Sequence, residues 1–348
     1  MIYTDTLFYS LFFSLTIYLF ILRKKLKSTR KYIQQLSDVQ HIHRGMVPRL
    51  GGFVIFLSLV IFYFLSPQKE LRHPLGLILI SAIPLWTLAL IEDIKGNVLH
   101  LHRLAGIFLS IFVFIFINDF SWPRLSFVGA DFLYAYPFLI KIIYLLIIAT
   151  IVNGVNFIDG MNGLACISTS ISFLCLLILA HRANDILFVQ LSLLPLGLLG
   201  VFILFNFPFA KIFLGDSGAY LLGFLLITML TIFYGRHPEL SNWGAAVITF
   251  YFAFEVIFSF FRKIIQKKSP LNPDNNHLHL LLFNRFMKKY SKKLSNPLAC
   301  LSLFIIYLQP IFYISFFSAQ KIWMALALII SCLIYLSFYL LLYKHRKY

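Results

Sequence analysis

The sequence predicts an all-α, polytopic integral membrane protein, and three observations carry that expectation. Of its 348 residues, 60% are hydrophobic and only 12% charged, whereas soluble domains run at about 45–50% apolar and about 25% charged. The mean hydropathy is +0.85. The apolar residues also fall into runs near the roughly 17–25 residues that cross a bilayer as a helix, separated by short polar segments.

Taken in order, eleven candidate spans lie near 5–22, 51–66, 74–91, 104–117, 132–152, 164–180, 186–205, 218–234, 243–261, 298–317 and 321–342. The first lacks a basic leader and a small-residue cleavage site, so a retained span is expected. It is followed by Arg23, Lys24, Lys25, Lys27, Arg30 and Lys31. Basic residues mark cytoplasmic loops, which puts the N-terminus outside and, with eleven spans, the C-terminus inside. Alternation then assigns 23 of the 30 lysines and arginines to cytoplasmic segments, chiefly the basic loops 23–50 and 262–297. Position thus accounts for the net charge of +17 and excludes a nucleic-acid partner. The longest loop, 262–297, suits anionic lipid headgroups. Residues 1–348 are expected to form a single membrane domain without internal repeats. Cys166, Cys175, Cys300 and Cys332 all fall in apolar runs and imply no disulfide framework.

The same alternation brings Glu92, Asp93, Asp159, Asp216, Glu255, Asp274, His277 and His279 to one face, the cytoplasmic one. In the outer loops Asp119, Asp131, Asp185 and Glu239 are scattered among turn residues. Chemistry is therefore expected at the cytoplasmic surface.

The stretch from Asn153 to Leu164, Asn-Gly-Val-Asn-Phe-Ile-Asp-Gly-Met-Asn-Gly-Leu, organises the chain. Its glycines admit close approach of a ligand to the backbone. Asp159 is costly at a membrane boundary unless it has a partner or a use. A plain polar turn between spans is the alternative. Glu92-Asp93 ends the third span with adjacent carboxylates, suited to a hard cation bridging to phosphate, or to a solvated helix end. Phe205 to Gly218 offers an amide, a cation, an aromatic ring and a carboxylate, and ends in a Gly-Asp-Ser-Gly turn that opens the next span. Free amides at such a helix start favour phosphate. His277 and His279 alternate in a Pro/Asn-rich loop and suit diphosphate binding or proton transfer, although exposed histidines are often inert. Arg44, Pro48, Arg49, Leu50, Gly51 and Gly52 make a basic turn into the second span.

Together these segments resemble the polyprenyl-phosphate N-acetylhexosamine-1-phosphate transferase family, of glycosyltransferase family 4 type, over residues 43–285. Val47-Pro48-Arg49-Leu50-Gly51-Gly52 resembles its Pro-rich Gly-Gly motif. Asn153 to Leu164 resembles Asn-x-x-Asn-x-x-Asp-Gly-x-Asp-Gly-Leu, with Asn162 in place of the second Asp. Glu92-Asp93 stands where Asp-Asp is usual. Phe205 to Gly218 is similar to Phe-Asn-x-Pro…Phe-x-Gly-Asp-Ser/Thr-Gly. Pro273-Asp274-x-x-His277-x-His279 is similar to the His-x-His-His loop, with Leu280 replacing the last His.

The resemblance implies transfer of a sugar-1-phosphate from a UDP-N-acetylhexosamine to undecaprenyl phosphate, releasing UMP, in the bacterial inner membrane. It implies Mg²⁺ (Mn²⁺ as the alternative ion) held by Asp216 and Asp159. Asp93, Asp159 and Glu92 would be the catalytic acids, Asp93 orienting or deprotonating the lipid phosphate, with attack as a nucleophile as its alternative role. Asn162, Asn206 and Phe213 would hold the uridine, and His277 and His279 the diphosphate or sugar phosphate. Asn156, Lys211 and Arg49 would complete the substrate site, and a homodimer is an option. The loop His277-Leu278-His279-Leu280-Leu281 lacks the three adjacent His of the phospho-N-acetylmuramoyl-pentapeptide branch. That favours the branch that starts O-antigen or other surface polysaccharide, with peptidoglycan synthesis as the alternative. Two further readings stand beside it. One is a family member inactivated by Glu92 and Asn162. The other is a transporter, which would place its ionisable groups at the bilayer midplane, where only Lys141 approaches.

Overall fold

The structure is a computed structural model that describes residues 2–23, 47–66, 68–125, 130–269 and 275–344. The basic run containing Arg44, and Pro273 with Asp274, lie outside these residues. Among the described residues regular structure is entirely helical: α1 (Ile2–Arg23), α2 (Gly51–Leu65), α3 (Lys69–Lys95), α4 (His100–Ile117), a 3₁₀ turn (Ala130–Ala135), α5 (Pro137–Ile158), α6 (Leu164–Arg182), α7 (Ile186–Asn206) and α8 (Gly215–Arg236). There follow α9 (Trp243–Ile248), α10 (Phe250–Ile265), α11 (Leu278–Met287), α12 (Lys292–Ser302), α13 (Phe304–Tyr307), α14 (Gln309–Phe317) and α15 (Lys321–Lys344).

Eight helical segments among the described residues are long and apolar enough to cross a membrane, counting α12 to α14 as one. Three expected spans are not among the eight. The stretch of α1 whose side chains are described, Phe8–Leu19, is shorter than a full span, α2 covers only Gly51–Leu65, and the run 243–261 is divided at Thr249 into α9 and α10. Residues 292–317 also bend at Leu303 and Leu308. Pro310, at the start of α14, marks the break at Leu308.

Helix α8 is the axis of the fold, with every residue from Gly215 to Tyr234 buried. Around it pack α2, α3, α5 and α6, while α4 covers α3, α7 joins α6 and α1, and α10 lies against α5. Lipid supplies little hydrophobic drive for helix association, so small residues and close backbone contact matter more. A Cβ on Gly52 would fall 2.0 Å from the Gly218 nitrogen, and one on Gly154 2.3 Å from the Phe252 carbonyl oxygen. These contacts draw α2 onto α8 and α5 onto α10.

The N-terminus of α2 is satisfied by the chain that leads into α8. Gly51 N–H donates to the Phe213 carbonyl at 3.0 Å and Gly52 N–H to the Leu214 carbonyl at 2.9 Å, while Phe213 N–H donates to the Pro48 carbonyl at 2.9 Å. Two of the helix's orphan donors thereby fix the Arg49 turn beside the start of α8. Gly52→Val is expected to separate these helices at a cost of at least about 1–3 kcal/mol. A thermal unfolding scan in detergent should show a lowered midpoint, and an unchanged one would mean that the contact is dispensable.

Candidate active site

The C-terminal ends of α3, α5 and α7 meet the N-terminal ends of α4, α6 and α8 at one end of the bundle. Asp93, in the last turn of α3, is 1% exposed and caps α8. Its Oδ1 accepts from the Asp216 N–H at 2.9 Å, and its Oδ2 from the Ser217 N–H at 2.8 Å and the Ser217 hydroxyl at 2.7 Å. Gly215 has φ +78°, and a Cβ there would meet the Asp93 carboxylate at 2.5 Å, so this position needs glycine. The expectation of free amides at this turn is corrected: the amides of residues 216 and 217 already serve Asp93.

Asp216 points back toward two arginines. Arg49 Nη2 donates to its Oδ1 at 3.1 Å, and Arg103 Nη1 pairs with its Oδ2. Arg49 Nε also stands 3.5 Å from Asp93 Oδ1, so one guanidinium bridges both acids. Burial alone would ease deprotonation of Arg49, but Asp216, then Asp93, Asp159 and Glu92, outweigh it and hold the guanidinium charged. Arg103 also contacts His100. Glu92 is buried, and its Oε2 accepts from the Val98 N–H at 2.8 Å, which closes the α3–α4 turn over Gly96.

Asp159 follows α5 and is half-buried. Its carboxylate makes no hydrogen bond or ion pair with the described residues. Burial, with repulsion from Asp216 and Asp93, pushes its pKa well above the carboxylate range, and Arg49 only partly opposes this. Four carboxylates (Glu92, Asp93, Asp159, Asp216) thus face two guanidiniums (Arg49, Arg103), a surplus of two negative charges when all are ionised. Among the described residues no three acids, histidines or cysteines form a metal cage by themselves. A surplus of carboxylate oxygen with one acid unpaired nevertheless suits a hard divalent cation shared with substrate phosphates.

The remaining expected residues divide into two groups. In the first, Asn206 is 4% exposed; its Oδ1 accepts from the Gly163 N–H at 2.6 Å and its Nδ2 donates to the Ile212 carbonyl at 2.9 Å. Asn162 Nδ2 donates to the Pro208 carbonyl at 2.9 Å, and its own N–H donates to Asn296 Oδ1 at 3.0 Å. Here both asparagines brace the loops 160–163 and 206–212 against each other. Asn156 Nδ2 donates to the Tyr220 hydroxyl at 3.2 Å. Phe213 is half-buried and Lys211 exposed. In the second group, His277 and His279 stack with ring centres 5.7 Å apart. His277 lies edge-on to Phe157, and His279 Nε2 lies over Gly160. Burial lowers the His279 pKa to about 4 despite Glu255, so that ring is neutral at pH 7.

Sequence reading missed Arg103, which looked like one more loop cation; its position a single helical turn into α4, just past Glu92-Asp93, was the available signal. It also missed Asn296 and Tyr220, for which only the tertiary contacts speak.

The sequence profile of glycosyl transferase family 4 matches residues 75–234, which contain Asp93, Arg103, Asp159 and Asp216. The chain is 30% identical over 254 residues to the undecaprenyl-phosphate alpha-N-acetylglucosaminyl 1-phosphate transferase of Thermotoga maritima, covering 73% of each protein. It is 27% identical over 245 residues to a probable undecaprenyl-phosphate N-acetylglucosaminyl 1-phosphate transferase of Bacillus subtilis (68% of this chain, 66% of that one). A phospho-N-acetylmuramoyl-pentapeptide-transferase of Dictyoglomus turgidum is 27% identical over 213 residues (60% and 67%). The chain belongs to glycosyl transferase family 4.

Asp159→Asn tests the electrostatics of the cluster. It removes a carboxylate whose ionised form burial and two like charges disfavour. In chelator, the variant is expected to unfold at a higher temperature than the wild type near pH 8. The gap should close as falling pH protonates Asp159. A lowered midpoint at pH 8 would show that Asp159 has a stabilising partner.

Proposed function

We propose that this protein transfers an N-acetylhexosamine-1-phosphate, N-acetylglucosamine-1-phosphate in the first instance, from a UDP-sugar to undecaprenyl phosphate. The lipid phosphate oxygen attacks the β-phosphorus of the donor, the bond to the UMP oxygen breaks, and a lipid diphosphate-sugar forms as UMP leaves. The observation that carries this reading is the convergence of Asp93, Asp159 and Asp216 with Arg49 and Arg103 at the start of α8. Phosphoryl transfer needs positioning and charge neutralisation more than covalent chemistry. The names of the relatives support the donor sugar and the lipid acceptor.

Bound Mg²⁺, which Asp216 and Asp159 would hold, would neutralise phosphate charge as it builds. Arg49 and Arg103 add fixed positive charge beside it. Both oxygens of Asp93 already accept hydrogen bonds, which suits it to holding Arg49 and the α8 amides rather than to in-line attack. The His277 ring, edge-on to Phe157, would serve the phosphate through its Nε2. Orientation follows the basic loops: the site faces the cytosol of a bacterial plasma membrane, with eleven crossings and the N-terminus outside. The product would prime a surface polysaccharide; peptidoglycan synthesis is the second reading, favoured by the Dictyoglomus relative.

UMP is expected only when undecaprenyl phosphate, divalent cation and one UDP-N-acetylhexosamine are all present. Equal release without lipid would mark a hydrolase instead. Asp216→Asn should lower turnover by orders of magnitude, because the metal's share of stabilisation is several kcal/mol; near-normal turnover with unchanged Mg²⁺ dependence would remove Asp216 from the site. In a background with Cys332 replaced by serine, Ser269→Cys should react with an impermeant thiol reagent only from the cytosolic side, and Pro238→Cys only from outside. Outside labelling at 269 would overturn the orientation.

A further inference from the structure

The histidine segment lies beyond residues 75–234, and its support comes from the last third of the chain. Glu255 of α10 is 1% exposed. Its Oε1 lies 3.0 Å from His277 Nδ1 and accepts from the Leu278 N–H at 3.1 Å, and its Oε2 accepts from the Tyr335 hydroxyl of α15. Arg262, one helical stretch further along α10, donates to the Asn276 carbonyl at 2.6 Å and to the Tyr339 hydroxyl at 2.9 Å. A charged carboxylate, costly in such a buried place without partners, is thus fully engaged. Its partners are one imidazole, one helix-start amide and one phenol.

We propose that Glu255 is a positioning residue for His277, locked in turn by Tyr335. An ionised carboxylate only accepts hydrogen bonds, so the proton on the His277 ring is fixed on Nδ1. Nε2 is left directed away from Glu255, with no hydrogen-bond partner among the described residues. The same Oε1 holds the first amide of α11, so the ring and the start of its helix are set by one atom. Tyr335 restrains the carboxylate from the far side and ties α15 to the histidine segment, while Arg262 and Tyr339 brace the preceding residue. An orienting partner of this kind typically contributes 10–100-fold where a functional imidazole depends on it, by analogy with metal-binding histidines. The activity consequence rests on the transfer reading; the tautomer assignment does not.

Nitrogen NMR of the full-length protein labelled with [¹⁵N]histidine tests the assignment directly. The His277 signal is the one lost in His277→Ala. It should show a protonated, hydrogen-bonded Nδ1, kept in Glu255→Gln, whose amide oxygen still accepts, and lost in Glu255→Ala. UMP release then tests the function in a double-mutant cycle. Glu255→Ala should lower kcat/KM by about 10–100-fold, Glu255→Gln and Tyr335→Phe by less, and none should add to the loss already caused by His277→Ala. Additive losses would show that Glu255 supports folding or another group and would overturn the proposal, as would a His277 signal unchanged in Glu255→Ala. A wild-type protein that releases no UMP counts against the transfer reading alone, and the NMR signature then decides the positioning.

Discussion

The structure depends on the capping of one helix. α8 is buried along nearly its whole length, so the orphan amides at its N-terminus have no water to turn to, and an unsatisfied buried donor costs about 1–3 kcal/mol. Asp93 supplies the acceptors, and in doing so brings the end of α3 onto the start of α8. The chain leading into α8 in turn offers its carbonyls to α2. Arg49 is thereby placed between the two acids of α3 and α8. A need of the backbone, met by a carboxylate, is what assembles the charged cluster.

The same device recurs at the histidine segment, where Glu255 caps α11 and meets His277 with one oxygen. In both places an acid satisfies a helix start and holds a side chain proposed to meet the substrate. The difference lies in what surrounds them. Glu255 is enclosed by donors, whereas Asp159 has no such partner among the described residues and faces like charges. The unpaired acid marks where a cation and phosphates would enter, and the enclosed one marks support.

Much of this was legible in the residues. The apolar runs gave most helices, because a bilayer-length run of Leu, Ile and Phe has no other stable form. Asp93, Asp159 and Asp216 stood out as acids at the ends of such runs, and the structure brings Asp93 and Asp216 together through Arg49. What could not be read is equally specific. The break at Thr249 and the bend at Leu303 carry no Pro or Gly of their own, whereas the bend at Leu308 precedes Pro310, a signal the apolar run overshadowed. Asn162 and Asn206 read as ligand contacts, yet an asparagine that braces a backbone has the same letter as one that binds a base. Arg103 read as a topology signal until its ion pair with Asp216 was seen. The partnership of Glu255 with Tyr335 spans 80 residues, and nothing local announces it.

Family membership joins the charged cluster to a class of reaction, and the decisive point is which bond breaks. Donor carrying phosphorus label at the β-position, incubated with the purified protein, undecaprenyl phosphate and Mg²⁺, settles it. The account predicts that the label passes into the organic-extractable lipid while unlabelled UMP accumulates in equal amount. Sugar appearing in lipid without the label, with UDP released, would contradict it and make this bundle a transferase of sugar alone.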